Sequence, residues 1–225
     1  MKPASRLFND EQRQRIDKAV AQAESKTSAE IVPVVATASG RYDRPEDIVG
    51  LWLGVAGLVI AWLALPEATT GPGNWGGLPV WLKTVCAAGA VVVGFIIGAA
   101  VASRAGWLRR LFTPRRQMRE EVEASARQVF FDSRVHGTTG ATGLLVYVSL
   151  YERMAAIIAD QAVVDALGQP TLDELCREVT GRLRTTGPTE ALCETVRAAG
   201  DRLATVLPRA EDDVNELPDS LVTID

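Results

Sequence analysis

The stretch Thr142–Asp160, TGLLVYVSLYERMAAIIAD, decides the fold. Leu144–Leu150 is the strongest strand signal in the chain, apolar and rich in branched and aromatic side chains. Tyr151–Arg153 interrupts it with a polar turn, and Met154–Ala159 returns as a second strand. Working outward, the polar, glycine-containing loop Asp132–Thr142 precedes the first of these strands. Before it, Arg115–Phe131 reads as a helix with Met118, Val122 and Val129 on one face.

Near the beginning, Asn9 with Gln12 three positions on has capping-box spacing, and Ile16, Val20 and Ala23 form the apolar stripe of a helix. Lys26–Ser28 breaks that pattern. Glu30–Ala36 (EIVPVVA) follows as a mostly buried strand, which Pro33 pushes toward an edge or a bulge because proline cannot donate to a ladder. After the strand pair, Thr171 with Glu174 has capping-box spacing ahead of Leu172, Leu175, Val179 and Leu183. Pro188 suits the first turn of a last helix through Leu192, Val196 and Leu203 to Pro208. One helix and one strand cannot bury a core, so the early and late segments belong to one α/β domain, a small mixed sheet sandwiched by helices.

Two apolar runs separate its halves. Ile48–Leu65 carries no charge, and at about 1.5 Å per residue its length is roughly 27 Å, close to the hydrocarbon thickness of a bilayer. Thr84–Ser103 is a second uncharged run, with Lys83 at its entrance where a long stem can snorkel. Trp52, Trp62, Trp75, Trp81 and Trp107 lie in or near the span ends, as an aromatic belt places them. The organisation expected is therefore a discontinuous domain over 7–44 and 115–208, spans over 48–66 and 79–103 joined by a short external loop over 67–78, and an acidic tail over 209–225. Arg104, Arg109, Arg110, Arg115, Arg116 and Arg119 follow the second span, whereas the 67–78 loop has no Lys or Arg. The positive-inside rule then places both termini in the cytoplasm, with the protein a multi-pass resident of the plasma membrane. Gly50 with Gly54, and Gly94 with Gly98, give each span a GxxxG pair, suited equally to packing within the hairpin or between protomers of an oligomer.

The formal net charge of −4 excludes a wholesale polyanion binder, and the arginine run lacks the interleaved aromatics of a nucleic-acid surface. Cys86, Cys176 and Cys193 form no CxxC and no zinc spacing, so they read as small reduced hydrophobes. No P-loop, GxGxxG, HExxH or GxSxG is present.

Phe8–Val35, Arg134–Asp160 and the last helix with the following NELPD (215–219) together resemble the TPM domain, a family of bacterial and plastid membrane-associated domains. The closer resemblance is to a bacterial branch in which a membrane hairpin splits the domain. The resemblance implies an α/β sandwich and an inner-membrane location. It also implies either a role in assembling or maintaining other membrane proteins or, as the alternative, acid phosphatase activity, with calcium as the implied cofactor. Many relatives have an acidic residue and Asn before the glycine that opens the central strand; here Ala141 and Thr142 precede Gly143.

The residues that would carry hydrolysis are His136, the only histidine, with either Glu152 in the turn or Asp160 at the end of the returning strand. Thr138, Thr139 and Arg153 are the candidate phosphate-binding groups, each equally suited to a turn or cap. Asp160 with Glu30, or with Glu24, is the candidate carboxylate pair for calcium, although no DxDxDG loop is present. The acidic tail (NELPD, then SLVTID) is expected to pack on the domain or to pair as an extra strand with a partner.

Overall fold

Asn9 caps the first helix, α1 (Asp10–Glu24), as its spacing from Gln12 predicts. The Gln12 amide donates to Asn9 Oδ1 at 2.8 Å and the Asn9 amide donates to Gln12 Oε1 at 3.0 Å. In this computed structural model, which describes residues 3–40, 44–66, 78–104 and 113–225, the stripe Ile16, Val20 and Ala23 is buried. The 67–78 loop except Leu78, and Trp75, Trp107, Arg109 and Arg110, lie outside the described residues. The chain divides into two compact units, Met1–Gly40 with Arg115–Asp225, and Arg41–Pro114.

The first unit is a four-stranded mixed sheet in the order β3-β2-β1-β4, with β1 at Glu30–Ala36, β2 at Gly143–Ser149, β3 at Met154–Ala159 and β4 at Val222–Ile224. β1 runs parallel to β2 from Glu30 opposite Gly143 to Ala36 opposite Ser149, and parallel to β4 over Val34–Ala36; β3 is antiparallel to β2. One face of the sheet packs Ile31, Val35, Leu144, Val146 and Val148 against α1, α6 (Gln169–Thr185) and α7 (Pro188–Val206). The other packs Val32, Val34, Leu145 and Tyr147 against α4 (Arg115–Asp132). Every residue of β1 and β2 is buried, because helices cover both faces.

Three local expectations change. β1 is interior to the sheet rather than an edge, yet Pro33 fits. Even-numbered residues of β1 direct their backbone groups to β2 (the Leu150 amide donates to the Ala36 carbonyl), and odd ones to the β4 side, where the Thr37 amide meets the Ile224 carbonyl. β4 starts opposite Val34, so the amide that Pro33 lacks would face a stretch without a strand. Secondly, α6 begins at Gln169 after Gly168 (φ +78°), two residues before the Thr171–Glu174 box, because Pro170 in the first turn fixes the start. A short helix, α5 (Gln161–Leu167), also fills the stretch after β3. Thirdly, on α4 the buried face is Met118, Val122, Ala126 and Phe130, with Val129 only half-buried at its margin.

The acidic tail packs on its own domain. Leu221 is buried, and the Asp225 side chain accepts hydrogen bonds from the Ser5 amide at 3.0 Å and from its hydroxyl. One side of the tail's strand is therefore paired with β1 of its own domain.

The second unit contains two helices long and apolar enough to cross a membrane, α2 (Arg44–Ala64) and α3 (Val80–Arg104). They pack as an antiparallel pair, and the four GxxxG glycines are occupied by this contact. A Cβ at Gly98 would sit 2.7 Å from Gly50 Cα, and one at Gly94 only 2.5 Å from the Leu53 carbonyl oxygen. Lys83 is buried with its Nζ 4.3 Å from the centre of the Trp62 ring, so the lysine at the entrance of one helix stacks on the end of the other. Leu51, Trp52, Ile60 and Leu63 of α2, and Val80, Trp81 and Ile96 of α3, are exposed.

Candidate functional site

Of the residues singled out for hydrolysis, His136 and Asp160 lie at one end of β2 and Glu152 at the other. Glu152 follows the carboxyl end of β2 and is 1 % exposed; its carboxylate accepts from the Ser39 amide at 2.9 Å, the Gly40 amide at 3.4 Å and the Ser149 hydroxyl. Its role is to hold the turn after β1 against the turn after β2. Asp160 lies at the opposite end of β2, where Oδ2 accepts from the Gly143 amide at 3.2 Å and the Asp160 amide donates to the Gly143 carbonyl at 2.9 Å. Seven residues of β2 at about 3.3 Å each put roughly 20 Å between these carboxylates. Burial raises the Asp160 carboxyl, opposed by the Gly143 amide and by the charge of His136. His136 is exposed in the turn Val135–Gly137, its ring 5.0 Å from that of Phe131. His136 and Asp160 thus share one end of the sheet, and Glu152 the other.

The candidate anion-binding groups are occupied by the fold. Thr138 is buried and its hydroxyl oxygen accepts from the Thr142 amide at 2.9 Å. The Thr139 amide donates to both carboxylate oxygens of Glu216, each at 3.0 Å, so the tail's own acid sits where a phosphate oxygen would. Arg153 is exposed with φ +54°, closing the turn between β2 and β3. Gly143, which opens β2, admits no side chain, since a Cβ there would lie 2.1 Å from the Val135 carbonyl oxygen.

What does converge is a set of acids at the amino end of β1. A cavity of about 220 Å³ is lined by Ala21, Glu24, Glu30, Arg209, Asp213, Asn215 and Asp219. Ala21 and Glu24 enter from the last turn of α1, Glu30 from the first residue of β1, and the rest from the segment that leads to β4. Oε1 of Glu24 accepts from the Ile31 amide at 2.7 Å, and Oε1 of Glu30 from the Glu216 amide at 3.2 Å. The second oxygen of each is buried and accepts no N–H among the described residues. Burial pushes the Glu24 carboxyl up to about 8, opposed by the Ile31 amide and reinforced by the charges of Glu30 and Asp219. Asp219 faces Glu24 as well, and hydrogen bonding between the two carboxyls raises Glu24 further. Burial also raises Glu30, against the Glu216 and Leu217 amides and with the charges of Asp213 and Asp219. Arg209 Nε lies 3.4 Å from Asp213 Oδ2, and the Asn215 amide donates to Asp219.

The pairings considered for calcium set Asp160 with Glu30 or with Glu24; Glu24 and Glu30 line this cavity together, whereas Asp160, hydrogen-bonded to the Gly143 amide, does not line it. The carboxylates ring the cavity instead of converging on a point: among the described residues no three Asp, Glu, His or Cys side chains are grouped to enclose a metal ion. Carboxylate and amide oxygens are the donors calcium takes, so the departure from a calcium site lies in their spread around the wall. Sequence pattern pointed to Glu24 and Glu30 but not to Asp213, Asn215 or Asp219. Glu24 continues the Ile16–Val20 spacing onto the buried face of α1, which is the signal for it; the tail residues carried only their charge.

A mixed α/β sandwich interrupted by an apolar helical pair is thus the class of protein that fold and site define. No protein-family model matches the chain, and no curated protein matches it. Among solved structures it is similar to the BA42 protein of the psychrophilic bacterium Bizionia argentinensis, with 15 % identity, a TM-score of 0.56 and 99 % of each chain covered. At that identity the likeness establishes the fold.

Proposed function

We propose that this protein is a membrane-anchored, TPM-like binding protein that assists the assembly or maintenance of neighbouring membrane proteins. The observation that carries the reading is the distribution of the chemically capable side chains: Glu152 stands at the opposite end of β2 from Asp160 and His136, and both carboxylates are engaged by backbone amides of their own fold. General acid–base work needs such groups within hydrogen-bond reach of one substrate. Anchoring is supported by the large apolar side chains exposed around α2 and α3, a surface that water disfavours and lipid accepts. The arginine-rich segment after α3 supports cytoplasmic termini and an inner-membrane location.

The test is photocrosslinking in cells, with the reactive group placed at Arg153 or Thr139 on the α/β unit. Recovery of membrane-protein adducts is the expected result. A hydrolase reading would displace this one if the purified protein turned over a generic phosphomonoester and lost that turnover in a folded His136→Ala or Asp160→Asn variant.

A further inference from the structure

Three segments of the α/β unit are tied to the turn that follows β1, Thr37–Gly40. The Ala4 amide donates to Thr37 Oγ1 at 2.7 Å and draws in the 3-10 turn Ala4–Arg6. The Tyr151 amide donates to the Thr37 carbonyl at 3.0 Å, and Glu152 accepts from Ser39 and Gly40, which fixes the turn between β2 and β3. From α4, the Ser125 hydroxyl donates to the Ser39 carbonyl at 2.8 Å. Each segment carries exposed arginine: Arg6, Arg153 and, on the turns of α4 that precede Ser125, Arg115, Arg116 and Arg119. Arg116 pairs with Glu120, whereas among the described residues Arg6, Arg115, Arg119 and Arg153 make no ion pair.

The acids of this end are engaged or set aside. Glu152 is buried under its donors, Asp225 accepts from Ser5, Glu121 is half-buried on α4, and Asp10 and Glu11 lie in the first turn of α1, where the helix dipole favours them. The amino ends of β1 and β2 carry the opposite character, with Glu24, Glu30, Asp213, Glu216 and Asp219, and Arg209 there is matched by Asp213. The unit is therefore electrically polarised along its strands, basic where β1 ends and acidic where it begins. The chain supplies the basic end with a neighbour. Gly40 precedes Arg44, where α2 begins, by four residues, and four residues reach at most roughly 14 Å. Screening in physiological salt acts over about 8 Å, a comparable length, so charges tethered this close to the entry of α2 into a bilayer feel its surface.

We propose that this end of the α/β unit binds the phosphate headgroups of anionic lipid in the bilayer that holds α2 and α3, through Arg115, Arg119 and Arg153. The inference rests on the membrane anchoring of the proposed function and adds to it a surface and a lipid class. A guanidinium offers two parallel N–H donors that match two phosphate oxygens, and it stays charged at any physiological pH. The tether makes the encounter intramolecular, an advantage in effective concentration that a free polyanion lacks. An anionic leaflet attracts the basic end and repels the acidic one, so the same field that binds the unit also orients it.

The experiment is hydrogen–deuterium exchange of the full-length protein in nanodiscs of phosphatidylcholine, alone or with about one-third phosphatidylglycerol. Amides of residues 37–40 and 150–154 should exchange about fivefold more slowly in the anionic discs, and salt at about 0.5 M should remove the difference. The slowing should be lost when Arg115→Gln, Arg119→Gln and Arg153→Gln are combined, all at exposed positions. It should persist in Arg134→Gln, an exposed arginine at the other end of the sheet, beside the Val135 that contacts Gly143. Equal exchange in the two discs, slowing that survives the triple substitution, or a loss that Arg134→Gln also produces would each overturn the proposal while leaving the anchoring intact. A chain that enters neither disc would overturn the anchoring, and this inference with it.

Discussion

The Ile31 amide donates to Glu24 Oε1 at 2.7 Å on the side of β1 that β4 leaves uncovered. One side chain from the end of α1 therefore completes the ladder where no strand reaches. Removing it in Glu24→Ala strands a buried amide and opens the cavity. We expect a loss of about 1–3 kcal/mol, read as a lowered unfolding temperature, with Glu24→Gln much closer to the unaltered protein. Equal stability of the alanine variant would refute this role.

The same carboxyl gives the α/β unit a pH dependence. Its folded-state pKa of about 8 lies above the ordinary value of 4.5, so the native state holds the proton more tightly than the unfolded chain does. That contribution is complete below the ordinary value and is lost as pH rises through about 8. Unfolding temperatures measured from about pH 5 to 9 should fall, and Glu24→Gln should flatten the fall. Glu30 is raised by the same burial and adds in the same direction. A variant that tracks the unaltered protein at every pH would assign the dependence elsewhere.

Glu152 is a structural carboxylate, and its substitution tests that directly. Glu152→Ala removes the acceptor for the Ser39 and Gly40 amides and the Ser149 hydroxyl within a closed site. A destabilisation of about 2–4 kcal/mol is expected from the orphaned buried donors. Asp160→Asn, half-buried and replaced by another acceptor, should lose under about 1 kcal/mol. Chemical denaturation of the two variants side by side would show the reverse order if Glu152 were a solvated turn residue.

The hairpin offers a comparison with its own control. Gly94→Val and Gly98→Val drive a side chain into the backbone of α2, and overpacking of this kind destabilises by about 1–3 kcal/mol. Gly89→Val meets nothing within 4 Å and should be neutral. Engineered disulfide formation between the two helices, scored in each variant, measures whether the pair has separated.

The tail gives a further contrast. Leu221 is 8 % exposed, and Leu221→Ala should lower stability by about 2–5 kcal/mol. Deleting residues 210–225 removes β4 and most of one wall of the acidic cavity, leaving β1 with an open edge. Aggregation on size-exclusion chromatography is the expected consequence. A monodisperse, fully stable truncation would mean that the segment is an appendage after all.

Much of this fold was legible because periodicity reports burial. β1 and β3 fall where the apolar runs predict, β2 within one residue of it, and the Asn9–Gln12 cap is formed as read. The parts that were not legible depend on pairing between distant segments. Val222–Ile224 is too short to announce a strand, and only its register against Val34–Ala36 makes it one. Pro33 signals an edge or a bulge because sequence does not say which side of a strand an amide faces. The cavity escaped notice for a related reason: Asp213 and Asp219 look like solvated charges until the return of the tail sets them opposite Glu24 and Glu30. His136, conspicuous as the only histidine, is an exposed ring beside Phe131.

β1 and β2 are neighbours in the sheet, yet Glu30 and Gly143 are separated in the chain by the whole apolar helical pair and α4. A ribosome adding about 5–20 residues per second emits β1 several seconds, at the least, before its partner exists. Through that interval β1 is an apolar strand with both edges bare. Pro33 in its middle, with no amide to offer on one side, then works as a guard against mispairing, and the sheet closes only after the hairpin has left the tunnel. The order of synthesis thus puts the apolar helices outside the ribosome before the sheet of the α/β unit can close.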